Sequence, residues 1–410
     1  MNTTKVMRAL LLVSFAAVVA LSLAMPGIGG SPAEAQQKPP IKIGVLYGLT
    51  GVYAFPSKHG VQGAALAFEE ANYQVAGRKI ETIVEDDQSP QVAVGVTKAR
   101  KLVEKDRVHA VMGIIWSPTG VAVSDYMKTV EVPLVLTEAA ARIITQEKRH
   151  PYVFRTSFAS GQMTLPFSAY VCKNLGYKRI VTFAFDSVFG REQADYVAQG
   201  CEQGGGKVIK QLFAPVRTPD MAPYLAQIQA ENPDAVWALW SGIAAIQFLR
   251  QYKEFGLKGK YPLLTFGSLS GEDVLAQVPD AAEGMISYYF YTTAYDAPEN
   301  KAFVEAYTKK YNMPPAVYAG QGYLTAKVIL AALEAIKGNV EDKAAFLAAL
   351  RNVSFERGIR GPWRFDAFQN AVSDVYVFKV ERGADGKVGH KIIHVLKNAE
   401  QYWPQGKPQR

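Results

Sequence analysis

An α/β fold, with parallel sheet covered on both faces by helices and shared between two lobes, is what this sequence predicts, and three observations predict it. Apolar runs of strand length recur without internal alternation: Ile41 to Val45, Ile80 to Val84, Val108 to Ile115, Pro133 to Leu136, Ile180 to Phe185, Val208 to Phe213, Ala235 to Trp240 and Leu263 to Phe266. The stretches between them carry helical spacing, as in Val61-Ala64-Ala65-Phe68 and Ile243-Ile246-Phe248-Leu249, the latter stopped by Gly256. Continuous apolar strands separated by helices belong to doubly wound parallel sheet, where both strand faces are buried. The third observation is a break in this alternation at Pro151 to Ser160, where Phe154-Arg155-Thr156-Ser157 reads as an extended passage to a new helix near Gln162.

Each element then finds a place. Ser287 to Thr293 and Gly358 to Trp363 read as two more passages, so that three crossover strands join the lobes and each lobe is discontinuous in sequence. Residues 36–156 with 287–362 form the first lobe, and 157–286 with 363–410 the second. The tail reads as a pair of strands, Val375 to Val380 and Lys391 to Val395, around a turn at Gly383 to Gly386.

The first 35 residues read as a secretory signal peptide. Lys5 and Arg8 give a positive head, Ala9 to Met25 run apolar, and Ala33-Glu34-Ala35 offers small residues for cleavage after Ala35. The apolar run is short for a membrane span and is followed by Pro26. No cysteine stands near the cleavage site to accept a lipid, so the mature protein is expected to be free in the periplasm. Basic residues exceed acidic ones, giving a formal charge of +8, but the two signs interleave and form no stripe of the kind nucleic acid requires. Cys172 and Cys201 are the only cysteines. In an oxidising compartment they are expected to form a disulfide closing a loop of about 29 residues, worth roughly 3 kcal/mol, with two buried free thiols as the alternative.

Catalytic and metal-binding patterns do not assemble. Of the five histidines only His390 and His394 stand four apart, and their surroundings look like strand, which does not converge two rings on a metal. Gly267-Ser268-Leu269-Ser270-Gly271 places leucine where a hydrolase elbow needs its serine. Gly320-Gln321-Gly322 lies in a helical pattern, whereas a dinucleotide fingerprint follows a strand. Glu85-Asp86-Asp87 reads as a solvated strand end. No enzyme and no cofactor is expected.

Strand ends followed by turns are where open α/β sheets hold ligands. Four such turns are rich in small, hydroxyl and aromatic residues: Gly48 to Phe55, Trp116 to Gly120, Thr137 to Ala141 and Asp186 to Arg191. With Ile41-Lys42-Ile43-Gly44-Val45, Leu49-Thr50-Gly51, Gly77-Arg78-Lys79-Ile80, Glu85-Asp86-Asp87, Phe154-Arg155-Thr156, Phe189-Gly190, Asn232-Pro233-Asp234, Glu283-Gly284 and Gly361-Pro362 in this order, the chain resembles the branched-chain amino acid binding proteins of bacterial ABC importers. The resemblance implies the type I periplasmic binding fold, mostly monomeric members, closure on ligand between two lobes and delivery to a membrane permease.

It also implies site positions. Ser117 falls where the family holds the ligand carboxylate, and Ala139 and Ala140 fall in the second carboxylate-holding turn, with Ala140 where threonine is common. Phe189 and Tyr318 match aromatic pocket positions, Ser241 falls where a tyrosine often stands, and Phe55 and Trp116 are expected to add walls. Gly267 falls where amino-acid binders carry the Asp or Glu that pairs with the ligand ammonium, and a buried ammonium without a partner is costly. An aromatic carboxylate such as a benzoate or phenylpropenoid acid is therefore the expected ligand, with an aliphatic acid next. Branched-chain amino acid binding, a ligand-sensing receptor domain and a periplasmic enzyme are the alternatives.

Overall fold

A computed structural model describes residues 38–404 and 406. The leader through Ala35 and its cleavage site lie outside the described residues. Among the described residues no helix is long and apolar enough to cross a membrane.

Fifteen strands are described. The first six are β1 (Ile41–Tyr47), β2 (Gln74–Val75), β3 (Arg78–Asp86), β4 (Ala110–Gly113), β5 (Leu134–Leu136) and β6 (Val153–Arg155), and they form one sheet in the order β2-β3-β1-β4-β5-β6. The remaining nine are β7 (Arg179–Phe185), β8 (Lys207–Ala214), β9 (Ala235–Leu239), β10 (Leu263–Phe266), β11 (Ile286–Tyr289), β12 (Ser354–Phe355), β13 (Trp363–Phe365), β14 (Ala371–Arg382) and β15 (Val388–Ala399). They form a second sheet in the order β12-β13-β14-β11-β10-β9-β7-β8, with β15 pairing β14. Central strands such as β4 and β9 are buried at every position, which is why they read as unbroken apolar runs.

The sheets are mixed, not wholly parallel as expected. β2 pairs antiparallel with β3, β11 with β14, β13 with both β12 and β14, and β14 with β15. A short turn between β14 and β15 leaves no chain for a crossover, so antiparallel pairing is the only choice there.

Three passages run between the sheets. β6 pairs with β5 in the first sheet, and the chain then enters the helix Thr164–Asn174, which packs on the helix Val188–Gln203 beside β7 and β8. β11 leaves the second sheet toward the helices Pro298–Tyr311 and Val317–Ala335, the latter packed on the helix Ala54–Glu70 of the first sheet. The third passage returns through β12, which already pairs within the second sheet, ahead of the expected boundary at Pro362. The passages are tied together at Thr156: its carbonyl accepts from Arg360 Nη2 at 2.8 Å and Trp363 Nε1 at 3.2 Å, and its hydroxyl meets Thr325 Oγ1 at 2.7 Å.

The Gly320-Gln321-Gly322 stretch explains itself in this packing. A Cβ on Gly322 would lie 1.9 Å from the Gly60 carbonyl, and one on Gly63 would lie 1.9 Å from the Ala319 carbonyl. These glycines let the helices Ala54–Glu70 and Val317–Ala335 cross at backbone contact.

Cys172 and Cys201 are not bonded in the structure. Both are free and buried on the facing helices Thr164–Asn174 and Val188–Gln203.

Candidate ligand-binding site

Turns at the C-terminal ends of strands from both sheets converge on one cleft. After β1, the turn through Thr50 is held by Asp86, which accepts from Leu49 N at 2.7 Å and Thr50 Oγ1 at 2.6 Å. The strand-end carboxylates therefore include a turn anchor, and the turn delivers Tyr53. After β4 the chain passes Ile115 and Trp116 into the helix Ser117–Val130. Ser117 Oγ accepts from Ala140 N at 3.0 Å and Ala141 N at 3.2 Å. With both lone pairs engaged, the serine's own proton is left to donate. After β5 comes Thr137, whose hydroxyl accepts from Tyr47 at 2.9 Å and whose carbonyl accepts from Gln321 Nε2 at 2.9 Å. This double tether fixes the next residue, Glu138.

The second sheet supplies rings. β7 ends on Phe185, and Ser187 caps the next helix by accepting from Gly190 N at 3.0 Å, which sets Phe189 in its first turn. β10 ends on Phe266, and Ser268 donates to the Trp240 carbonyl at 2.7 Å. Tyr289 ends β11, and Phe158 comes from the passage that follows β6. Phe158 joins the rings, with centroids 6.2 Å from Phe189, 5.5 Å from Phe266 and 5.9 Å from Tyr289. Ser241 accepts from Tyr318 across the cleft at 3.5 Å. The cleft encloses about 410 Å³, its open mouth included, and eight of the thirteen lining side chains are aromatic.

Glu138 is the one ionisable carboxyl in this wall. Its Oε2 accepts from Tyr289 Oη at 3.0 Å, while Oε1 is buried without a partner. Burial pushes the carboxyl well above the usual range, against the pull of the Tyr289 hydroxyl and of Arg360. Tyr289 is held in turn by Gly267, where a Cβ would lie 2.4 Å from the tyrosine ring. The ring thus occupies the space into which a side chain at 267 would extend.

The structure brings Trp116, Ser117, Phe189, Ser241 and Tyr318 together as lining residues. Gly267 contributes backbone between Phe266 and Ser268. Ala140 stands behind Ser117, to which its amide is given. Ala139 is buried, its amide bonded to the Ile114 carbonyl at 3.0 Å, and it packs where a Cβ on Gly120 would lie 2.5 Å away. Neither alanine lines the cleft. Phe55 stands apart with its ring edge-on to His59 at 5.1 Å, and Tyr53 lines the cleft instead. Sequence reasoning missed Tyr53, Ile115, Glu138, Phe158, Phe185, Phe266, Ser268 and Tyr289. Glu138 was in view within T-E-A-A-A, and Phe266 immediately precedes Gly267.

Comparison with known proteins identifies the family of this fold. The family described as periplasmic binding protein matches residues 40–387. The chain belongs to that family. Among relatives of this periplasmic binding protein is Leu/Ile/Val-binding protein homolog 6 of Brucella melitensis biotype 1, 27% identical over 87% of this chain and 92% of that one. Among solved structures, an ABC transporter substrate-binding protein from Sphaerobacter thermophilus superposes with a TM-score of 0.83 at 37% identity, covering 88% of this chain and 99% of that one. An ABC transporter solute binding protein of Rhodopseudomonas palustris, solved in complex with benzoate, also gives 0.83 at 27% identity, covering 88% and 98%. The fold is thus the two-lobed type I periplasmic binding fold with mixed sheets.

Proposed function

We propose that this periplasmic binding protein is the solute receptor of an ABC importer, free in the periplasm, that captures a small aromatic carboxylate between its lobes. The observation that carries the reading is the wall itself: eight aromatic side chains line the cleft with the Ser117 hydroxyl, which has a proton to give, and the ring of Tyr289 fills the place of an ammonium-pairing acid at 267. Flat apolar walls favour a flat apolar body, and the Ser117 hydroxyl at a helix N-terminus favours an anionic end. The benzoate complex of the Rhodopseudomonas relative supports the same ligand class. The receptor works as a monomer: it binds, closes about the three passages and presents the closed form to a membrane permease, and no bond is made or broken.

The test is a thermal-shift and calorimetric screen of the mature protein against benzoates, phenylpropenoid acids, aliphatic acids, leucine, isoleucine and valine. A true ligand at 100 times its Kd stabilises by about 2.7 kcal/mol. Stabilisation by an aromatic acid with no response to leucine is the expected result. The second reading, branched-chain amino acid binding, is favoured by one observation, the Glu138 carboxyl in the cleft. Tight binding of leucine without response to aromatic acids would establish it and overturn the first.

A further inference from the structure

Glu138 belongs to neither the aromatic wall nor the serine that receives the anionic end. It is 7% exposed, and its turn is fixed by the bonds that Thr137 makes to Tyr47 and Gln321. One of its oxygens takes the Tyr289 hydroxyl; the other, Oε1, is buried with no partner. An unpaired buried carboxyl oxygen costs folding free energy, and one that lines a cleft can be completed by what enters it. The neighbouring polar groups do not complete it. Ser268 gives its proton to the Trp240 carbonyl and Tyr318 gives its own to Ser241, while the proton of Ser117 is the one assigned to the anionic end of the ligand, and none of them reaches Oε1.

We infer that Glu138 selects among aromatic acids by hydrogen-bonding, through Oε1, a hydroxyl carried on the ligand ring. The inference rests on the aromatic-acid reading above and narrows it. A hydroxyl fits because it can both give and accept a hydrogen bond. It donates to Oε1 when the carboxyl is ionised and accepts from it when the carboxyl is protonated, so it is matched in either state. An ammonium fits the ionised carboxyl alone and brings three donors to a place with one vacant acceptor. A second carboxylate fits the protonated form alone. Burial favours the neutral carboxyl, which weighs further against an ammonium.

Titration calorimetry with benzoate and the three monohydroxybenzoates tests this on the wild-type chain, Glu138→Leu and Glu138→Gln, each first checked for a cooperative melt. The wild type is expected to bind at least one monohydroxybenzoate about tenfold or more tighter than benzoate, the size of one well-made hydrogen bond to a buried group. Glu138→Leu is expected to bring that ratio near one. Glu138→Gln is expected to keep it above one, since the amide can also give or accept, and it serves if the leucine variant fails to fold. Equal wild-type affinities for benzoate and every hydroxybenzoate overturn the inference and leave the aromatic-acid reading intact. So does a preference that survives in Glu138→Leu. If no aromatic acid binds and leucine does, both fall, and loss of leucine binding in Glu138→Leu then assigns the carboxyl to an ammonium.

Discussion

The two walls of the cleft are built from the same element, a strand end running into a turn, yet they differ in chemistry, the first sheet setting two polar groups beside Tyr53 and Trp116 and the second supplying mostly rings. The first-sheet wall offers Ser117 and Glu138, each fixed by backbone amides or a neighbouring hydroxyl. The wall facing it is dominated by Phe158, Phe185, Phe189 and Phe266, packed on one another. Rings in contact contribute area and shape, and their worth lies in stability as much as in binding. Hydroxyl and carboxyl groups add little net stability and mainly decide which ligand fits. The aromatic wall should therefore dominate the fold's energetics, and the polar wall its selectivity.

The strongest way to break this division is at Phe158, whose ring also lies 5.3 Å from Phe290. Phe158→Ala removes a buried ring from the centre of the aromatic wall and is expected to cost about 3–5 kcal/mol in denaturant unfolding. A loss under about 1 kcal/mol would mean that the rings are independent contacts.

Next in size is Gly267→Asp, which introduces an acid where the resemblance to amino-acid binders expects one. Its Cβ would meet the Tyr289 ring at 2.4 Å, so overpacking should cost about 1–3 kcal/mol before any desolvation of the new charge. Adding Tyr289→Ala should recover part of that loss, because the two residues compete for one space. Purely additive effects in the double variant would show that Tyr289 does not exclude a side chain at 267.

How far these walls were legible in the sequence follows from what each residue answers to. The strands could be read because strands buried on both faces are apolar throughout, as β4 and β9 are. Pairing direction could not, since it depends on the path of the chain and not on local pattern. Ser117, Phe189 and Tyr318 follow from family positions at strand ends and helix starts. Phe55 and Tyr53 sit two apart in one aromatic turn, and because the helix begins at Ala54 the two rings point apart. Phe158 lies on a passage between sheets, which has no period to read, and Tyr289 closes a strand buried at its last three positions, where alternation gives no sign of which ring faces the cleft. Cys172 and Cys201 were rightly adjacent, but spacing says nothing of whether facing thiols bond.

On the polar wall, Ser117→Ala leaves the Ala140 and Ala141 amides unpaired and removes the donor proposed for the anionic end. A cost of about 1–3 kcal/mol in stability is expected, with a drop of at least about tenfold in aromatic-acid affinity. A stability loss equal to that of Phe158→Ala would end the distinction between the walls. Glu138 gives the same wall a pH signature. Its folded pKa is raised by burial, so the folded protein holds a proton that the unfolded chain releases, and stability should fall as pH rises above the ordinary glutamate value of about 4.3. Glu138→Gln should flatten that part of the profile measured by chemical denaturation between pH 4 and 8. An unchanged profile would mean that Arg360 and Tyr289 offset the burial.

The smallest effect tests whether the aromatic wall is held by its rings or by its turns. Ser187 caps the helix Val188–Gln203, and Gly190 packs so tightly there that a Cβ would lie 2.0 Å from the Phe185 carbonyl. Ser187→Ala removes the cap acceptor and should cost about 1 kcal/mol, as helix N-caps generally do. Phe189 itself is gripped by Phe158, Phe185 and Phe266 at centroid distances of 6.2, 6.3 and 5.6 Å, so the ring should keep its place when the cap is lost. Aromatic-acid affinity should then fall less than about threefold, a fraction of the stability change. If calorimetry shows a tenfold loss while the melt moves no more than a missing cap explains, the turn places the ring, and the packed rings follow from the backbone instead of fixing it.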